Sequence, residues 1–582
     1  MPARSSIALR RAPWGLPALV VGVLALPLFT NRTFGYDWPD HLWLVWQQAQ
    51  SIAQMGRPSY FLQAYQGVYQ PFFAFYGGTF YAVTGAVADL IGGHPTVAYC
   101  AAIIAAFAGA YVGWTWLALQ AGVRGWRAQI PGLLYVTAPY IITTPFGRGD
   151  VPESIGTCAI PLVAASGLAL LRAERVRPLP AAALVLSAAW FTACHNITSL
   201  WGTTFLALTA GVLLIAVGRR RVRPRRILEV LGLAALGVAI NAWFLFPTIA
   251  YSGRTAIAHG GVGAFQFDAW QLVFDPFRSQ PETSTAGILN TQMPVLAFVW
   301  ALVVLAIAWR RMPMPWRRFA AGMVLIVVAL LALILTNMSI VPRPWSQIQF
   351  PYRAQTYVAL GVCAMVLAAV AAIPFLTSRL LRSTALGALV VIAATSFGQA
   401  IHQQWRQPSQ LASRRLVFQP ENKHPPSWYS QFDYADISMP VVPFGAVVGI
   451  PGVTITGGNG ESILVVPTHG HSDINTVTFP SPGARPIATN VYGGPYLVKV
   501  TGVRAIARTP SSELVIEPLA PKGQQAKVTF STAHTVPVVL GVATTLAALA
   551  VCLLLAAWAI GRAVRGRQFS RLAQRERGGV PG

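Results

Sequence analysis

Charge is scarce in this chain. Only 10% of its 582 residues are Asp, Glu, Lys or Arg, against about 25% in soluble globular proteins, and the mean hydropathy is +0.53. Length alone would suggest several soluble domains, but apolar runs long enough to cross a bilayer recur along most of it, which excludes an ordinary soluble enzyme. Cysteine is scarce as well. Cys100, Cys158, Cys194, Cys363 and Cys552 all lie in or at the ends of apolar runs, so the polar stretch 402–535 has no disulfide framework and no cysteine metal site. Lysine is confined to that stretch (Lys423, Lys499, Lys522, Lys527), and no acidic residue sits in the middle of an apolar run. Secondary transporters and ion pumps usually place ionisable groups near the midplane, so this absence argues against them. Internal repeats and low-complexity tracts are missing too.

What is present is arginine. The formal net charge of +25 would suggest nucleic-acid binding in a soluble protein; here it bears on membrane topology, and no nucleic-acid partner is expected. The first apolar stretch follows Arg4, Arg10 and Arg11 as a signal peptide would, but no A-x-A-like site follows, so an uncleaved first span is expected. Thirteen apolar segments can be drawn, near 14–30, 71–92, 96–119, 128–146, 155–171, 180–194, 199–218, 227–250, 292–308, 319–336, 354–376, 384–401 and 536–560. Both ends of the chain are basic and are expected in the cytoplasm, which requires an even number of crossings. If 71–92 stays outside, 26 basic residues fall inside and seven in the short outer loops; if it crosses, the run from Arg219 to Arg226 is placed outside. The arginine count thus predicts twelve spans, with the aromatic, glycine-rich segment 71–92 lying at the outer surface.

The predicted organisation is a polytopic α-helical membrane domain over 1–401, with outer loop 31–95, an extracytoplasmic β-rich domain over 402–535, a last transmembrane helix over 536–561 and a basic cytoplasmic tail over 562–582. Short β-branched runs bounded by Pro, Gly, Asn and Ser predict an all-β sandwich in the ectodomain. Its string His469-Gly-His471-Ser-Asp473 places alternate ligand types on one strand face, although a polar turn explains it more simply.

Four constellations fall on the predicted outer face. Asp37-Trp-Pro-Asp40-His41 follows the first span, and a carboxylate there can take a proton from an acceptor hydroxyl. Asp40 is the preferred base, because a helix beginning at Leu42 would present it to the cleft, with Asp37 orienting it or holding a metal. An N-cap beside an aromatic belt is the plain alternative. Gly147-Arg148-Gly149-Asp150-Val-Pro-Glu153 sets an arginine between glycines, where it can approach a phosphate. His195 sits at a tight turn between two spans. Arg343 to Arg353 pairs two arginines with Gln349 and aromatic residues, a composition suited to a phosphosugar held against lipid. Arg148, Arg343, Arg353 and Gln349 are therefore assigned to donor phosphate, and Asp150, Glu153 and His195 to the remainder of the site.

With these residues named, the layout resembles the GT-C glycosyltransferases. The strings DWPDHLW, GRGDVPE, the His-Asn turn and QFPYR resemble the bacterial membrane family labelled 6-pyruvoyl-tetrahydropterin synthase-related, whose pterin chemistry does not carry over because the soluble synthase's zinc-binding histidine set is absent. The resemblance implies sugar transfer from a polyprenyl-phosphate donor to an extracytoplasmic glycan or glycolipid at the cell membrane, arabinofuranose and mannose being the sugars that analogy offers. Many GT-C loops carry adjacent acidic residues, whereas this chain has Asp-x-x-Asp. Metal dependence, including a divalent cation, stays open. The alternatives are a polyprenyl-linked glycan flippase and a non-catalytic polysaccharide-assembly subunit.

Overall fold

The computed structural model describes residues 14–30, 37–64, 67–218, 223–255, 290–348, 350–405, 439–442, 464, 466, 473–510 and 512–577. The long helices, in chain order, are α1 (Gly15–Ala25), α2 (Trp38–Met55), α3 (Gly78–Leu90), α4 (Pro95–Gln120), α5 (Val151–Arg172), α6 (Pro178–Cys194), α7 (Asn196–Val217), α8 (Pro224–Ala239), α9 (Ala242–Tyr251), α10 (Val295–Ala308), α11 (Met314–Leu335), α12 (Gln355–Ala372), α13 (Arg379–Trp405) and α14 (Val536–Arg577). Among the described residues seven helices are long and apolar enough to cross a membrane, in α4, α5, α7, α11, the stretch Pro351–Phe375, α13 and the first part of α14. The helices Gly15–Phe29, Pro178–Cys194 and Val295–Ala308 are apolar but shorter.

Two expected spans are not uniform helices. Residues 128–146 break into Ile130–Val136, Pro139–Ile142 and a π-turn Thr143–Arg148. Pro131, Pro139 and Pro145 lack the N–H that a continuous ladder needs, and π-turns of this kind recur at functional sites. The expected span 227–250 bends by 83° between α8 and α9. Asn241 makes the corner, its side-chain amide donating to Ala189 O and to Thr192 Oγ1, each at 2.7 Å, on α6. Among the described residues, length and composition support seven crossings, or eight counting the bent pair, so the expected twelve are not confirmed.

The segment 71–92 contains the short turn Phe72–Phe75 and α3, whose 13 residues fall short of the roughly 20 that span a bilayer. It packs on α2 through Gly85, where a Cβ would lie 2.8 Å from Gln48 Cβ and 2.9 Å from Ala49 N. Gly113 of α4 is equally close to the Pro161–Leu162 backbone of α5. Small residues of this kind let helices approach where lipid supplies no hydrophobic drive. Nearly every residue of α12 is buried, as an uncharged helix apolar all round requires, and it forms the centre of the helical part.

The C-terminal β region has two antiparallel three-stranded sheets, ordered β3-β8-β5 and β4-β7-β6. They are built from β3 (Ile474–Pro480), β4 (Ile487–Ala488), β5 (Val498–Thr501), β6 (Val503–Arg508), β7 (Leu514–Pro518) and β8 (Gln525–Thr532). In β8, Ala526, Val528, Phe530 and Thr532 are buried in strict alternation, the mark of a strand with one face in a core. A hairpin from the first loop, β1 (Leu62–Ala64) and β2 (Gly67–Gln70), joins this region through a Val68–Val491 bridge. Much of the expected strand content before 473, with His469 and His471, lies outside the described residues.

Candidate active site

The site is made where four chain segments meet at helix starts. Asp37 occupies the N-cap position of α2, and its N–H donates to Arg148 O at 2.8 Å. Its carboxylate makes no cap bond, so it is left available. The π-turn delivers Arg148, and Gly149 in the left-handed region (φ 82°) turns the chain into Asp150. Asp150 caps α5, accepting from Glu153 N at 3.1 Å. His195 separates α6 from α7 and caps the latter, Nδ1 accepting from Thr198 N at 3.2 Å. Arg353 lies in the 3₁₀ turn Pro351–Ala354 that leads into α12.

These residues form one buried ionic cluster. Arg148 reaches Glu153 Oε2 at 2.9 Å through Nη1, and through Nη2 it reaches Asp150 at 3.2 Å and Asp37 at 3.8 Å. Arg353 meets Glu153 at 3.2 Å and Asp150 at 3.6 Å. Tyr140 donates to Glu153 Oε1 at 2.8 Å and Tyr76 to Asp150 Oδ1 at 3.2 Å. Phe350 and Tyr352 stack at 5.3 Å, with Arg148 and Arg353 both within 6 Å of the Phe350 ring, so apolar faces exclude water from the guanidiniums. Phe350 and Tyr352 belong to the aromatic stretch that the sequence sets between Arg343 and Arg353, whereas Tyr76 and Tyr140 join the site without a sequence signal, because aromatic residues at span ends look like interfacial anchors.

Burial would raise Asp150, but Arg148, His195 and Arg353 outweigh it and hold the carboxyl well below its ordinary range. At Asp37 the balance goes the other way: desolvation by the surrounding protein exceeds the pull of Arg148 and lifts the carboxyl to about 6. The side chain nevertheless keeps 34% of its surface open, so solvent moderates that rise. Desolvation and the neighbouring Arg353 cation lower His195 to about 3, which keeps the ring neutral. On its other side the ring meets Arg353, whose Nη1 lies 3.4 Å from Nε2, and Nδ1 also lies 2.9 Å from Thr198 Oγ1.

Asp40 and His41 do not join the cluster. α2 begins at Trp38 rather than Leu42, which turns Asp40 inward: it is 4% exposed, and its Oδ1 has no hydrogen-bond partner among the described residues. Burial and the neighbouring Asp37 push it up to about 9, so at neutral pH it is an uncharged acid. His41 Nδ1 pairs with the Tyr81 hydroxyl, and burial lowers the ring to about 4. Arg343 is exposed and makes no salt bridge among the described residues. Gln349 lies outside the described residues.

Asp150, Glu153 and His195 bring ligand atoms within 4.8 Å of one another, a spacing that could hold a metal. The donor set does not fit one. Both carboxylates already bridge two guanidiniums, and Arg353 Nη1 stands 3.4 Å from His195 Nε2, so arginine charge fills the place a cation would take.

No family model matches the sequence, and no curated protein does. Among solved structures the chain is similar to the arabinofuranosyltransferase AftD from Mycobacteria, with 15% identity and a TM-score of 0.44 over 67% of this chain. The chain spans only 27% of AftD. Likeness of that degree decides nothing about chemistry, which has to be read from the cluster itself.

Proposed function

We propose that the chain transfers a sugar from a polyprenyl-phosphate donor to a glycan or glycolipid at the outer face of the cell membrane. One observation carries the reading: the Asp37 carboxylate, a third of it open, borders a buried cluster in which Arg148 and Arg353 are gathered on Asp150 and Glu153 beside His195. In the reaction, the acceptor oxygen attacks the anomeric carbon while Asp37 takes its proton. The bond from that carbon to the phosphate oxygen breaks, and its electron pair leaves with the lipid phosphate. Arg353 meets the charge that develops there, and Arg148 fixes the carboxylates. A largely apolar groove of about 600 Å³, lined by residues including Thr192, Ser199, Leu200, Thr204, Leu245 and Trp345, runs along α7 and suits an isoprenoid chain. The buried charges gather at helix starts rather than along a path through the spans, which favours transfer over a flippase. The resemblance of QFPYR and GRGDVPE to the GT-C-like family points the same way.

The test is transfer of radiolabelled sugar from polyprenyl-phosphate donors by the purified chain. Because the base must be ionised and Asp37 lies at about 6, kcat is expected to fall about tenfold per pH unit below 6 and to level off above it. A profile flat down to pH 4.5 removes Asp37 as the base. The outer placement of 71–92 is tested by labelling a cysteine at His94, which is exposed, Gly93 being unsuitable at φ 82°. An impermeant maleimide added to intact cells is expected to modify it; modification only after permeabilisation reverses the sidedness of the whole cluster.

A further inference from the structure

The β region grips the far end of the helix that bears Asp37. Immediately after α2, Gly56 turns the chain in the left-handed region (φ 65°), and Arg57 Nη1 pairs with Asp473 Oδ2 at 3.0 Å. Ser59 Oγ donates to Asp473 Oδ1 at 2.6 Å, and Thr532 of β8 donates to Oδ2 at 3.4 Å. Ser59 is itself held by α2: Gln48 Nε2 donates to Ser59 O at 2.8 Å, and Ser59 N donates to Gln48 Oε1 at 3.1 Å. Gln48 is fully buried, with Gly85 of α3 directly against its Cβ. A second anchor stands close by. Tyr69 holds a φ of 56°, strained for a bulky residue, while its hydroxyl donates to Phe530 O at 3.1 Å and accepts from Asn475 Nδ2 at 2.9 Å.

We propose that Asp473 is a positioning residue for Asp37: through Ser59 and Gln48 it fixes the rotation of α2 and so the aim of the carboxylate at the opposite end. Gln48 and Asp37 are eleven positions apart, roughly 16 Å along a helix, and a helix of that length transmits rotation as a stiff rod. The other end of α2 is tied by its backbone bond to Arg148 O, so the two attachments define its axis. The proposal rests on Asp37 being the base. It gives Asp473, which the sequence offers as a metal ligand beside His471, a different task, since Arg57, Ser59 and Thr532 all donate to it.

The test uses the full chain in nanodiscs, with hydrogen exchange followed over residues 37–48 alongside transfer kinetics. Asp473→Asn is expected to raise exchange in that segment about tenfold and to lower kcat about tenfold or more, with the donor KM within about twofold. Arg57→Ala, whose side chain is half exposed, removes the ion pair without emptying a buried site and is expected to show the same pattern more weakly. Thr476→Val, which removes only an exposed Thr476–Thr529 hydroxyl pair, is expected to change neither. Unchanged exchange over 37–48 in both clamp variants overturns the proposal. So does an equal rise in α4 and α5, which would signal general loosening, or raised exchange with native kcat. If the native chain transfers no sugar from any polyprenyl donor, the proposed function fails, while the exchange result still decides whether Asp473 holds α2.

Discussion

Asp37→Asn is expected to lower sugar transfer about a thousandfold, while Asp40→Asn leaves it within about threefold of native. The two carboxylates are three residues apart but live in different surroundings. Asp37 borders the cluster with a third of its side chain open, and burial lifts its carboxyl to about 6, so at neutral pH it is charged and, in the proposed reaction, able to take a proton. Asp40 is buried, is raised to about 9 by desolvation and by Asp37, and is already neutral at pH 7. An amide there replaces one uncharged group with another of the same shape, whereas an amide at position 37 cannot accept the proton. Single-turnover transfer with a saturating donor separates the outcomes. Equal losses in both variants, or none in either, would remove Asp37 from the role given to it.

Arg148→Ala is expected to be the most destabilising single change in the cluster, costing about 3–5 kcal/mol, the usual consequence of leaving buried charges without their partner. Arg148 faces three carboxylates, and its removal leaves Arg353 to compensate Asp150 and Glu153 alone, with Asp37 unpaired. A combined Arg148→Ala and Glu153→Gln chain removes one charge of each sign and is expected to recover part of the loss, a non-additivity that only coupled groups show. Arg148→Lys is expected to fall between, because one ammonium cannot meet Asp150 and Glu153 through separate nitrogens as the guanidinium does. Thermal unfolding in detergent, read by size-exclusion monodispersity, measures all three. A melting temperature unchanged in Arg148→Ala would mean that the carboxylates are not charged together in the folded chain.

Composition was enough to show a membrane protein with a C-terminal β region, because long apolar runs mark the one and short β-branched runs between Pro and Gly mark the other. The residues that meet in the cluster were legible as types: Asp37, Arg148, Asp150, Glu153, His195 and Arg353 stood out as charged or titratable groups at the ends of apolar runs. Their geometry was not. Whether Asp37 or Asp40 faces the cleft depends on where α2 begins, and Pro39 fits the first turn of a helix starting at Trp38 as readily as a break before Leu42. Arg343 and Arg353 flank the same aromatic stretch, and only the packing of Phe350 and Tyr352 buries one and leaves the other in the open. The prolines at 131, 139 and 145 signalled a break in 128–146 that hydropathy alone passes over. Nothing in the local sequence around Asn241 announces an 83° corner, because its cause is an acceptor pair on another helix.

That corner ties the shape of the chain to the order in which it is made. Asn241 bends residues 224–251 by reaching Ala189 and Thr192, so the segment cannot take its final path before α6 stands beside it. Ribosomal synthesis supplies α6 some fifty residues earlier, and the bent pair then folds against a finished surface. Its second half, α9, in turn offers Trp243 N to Thr545 of α14 and the Tyr251 hydroxyl to Thr535 just before it. The bent pair is therefore held between a helix some fifty residues earlier in the chain and one some three hundred later, and its shape depends on both.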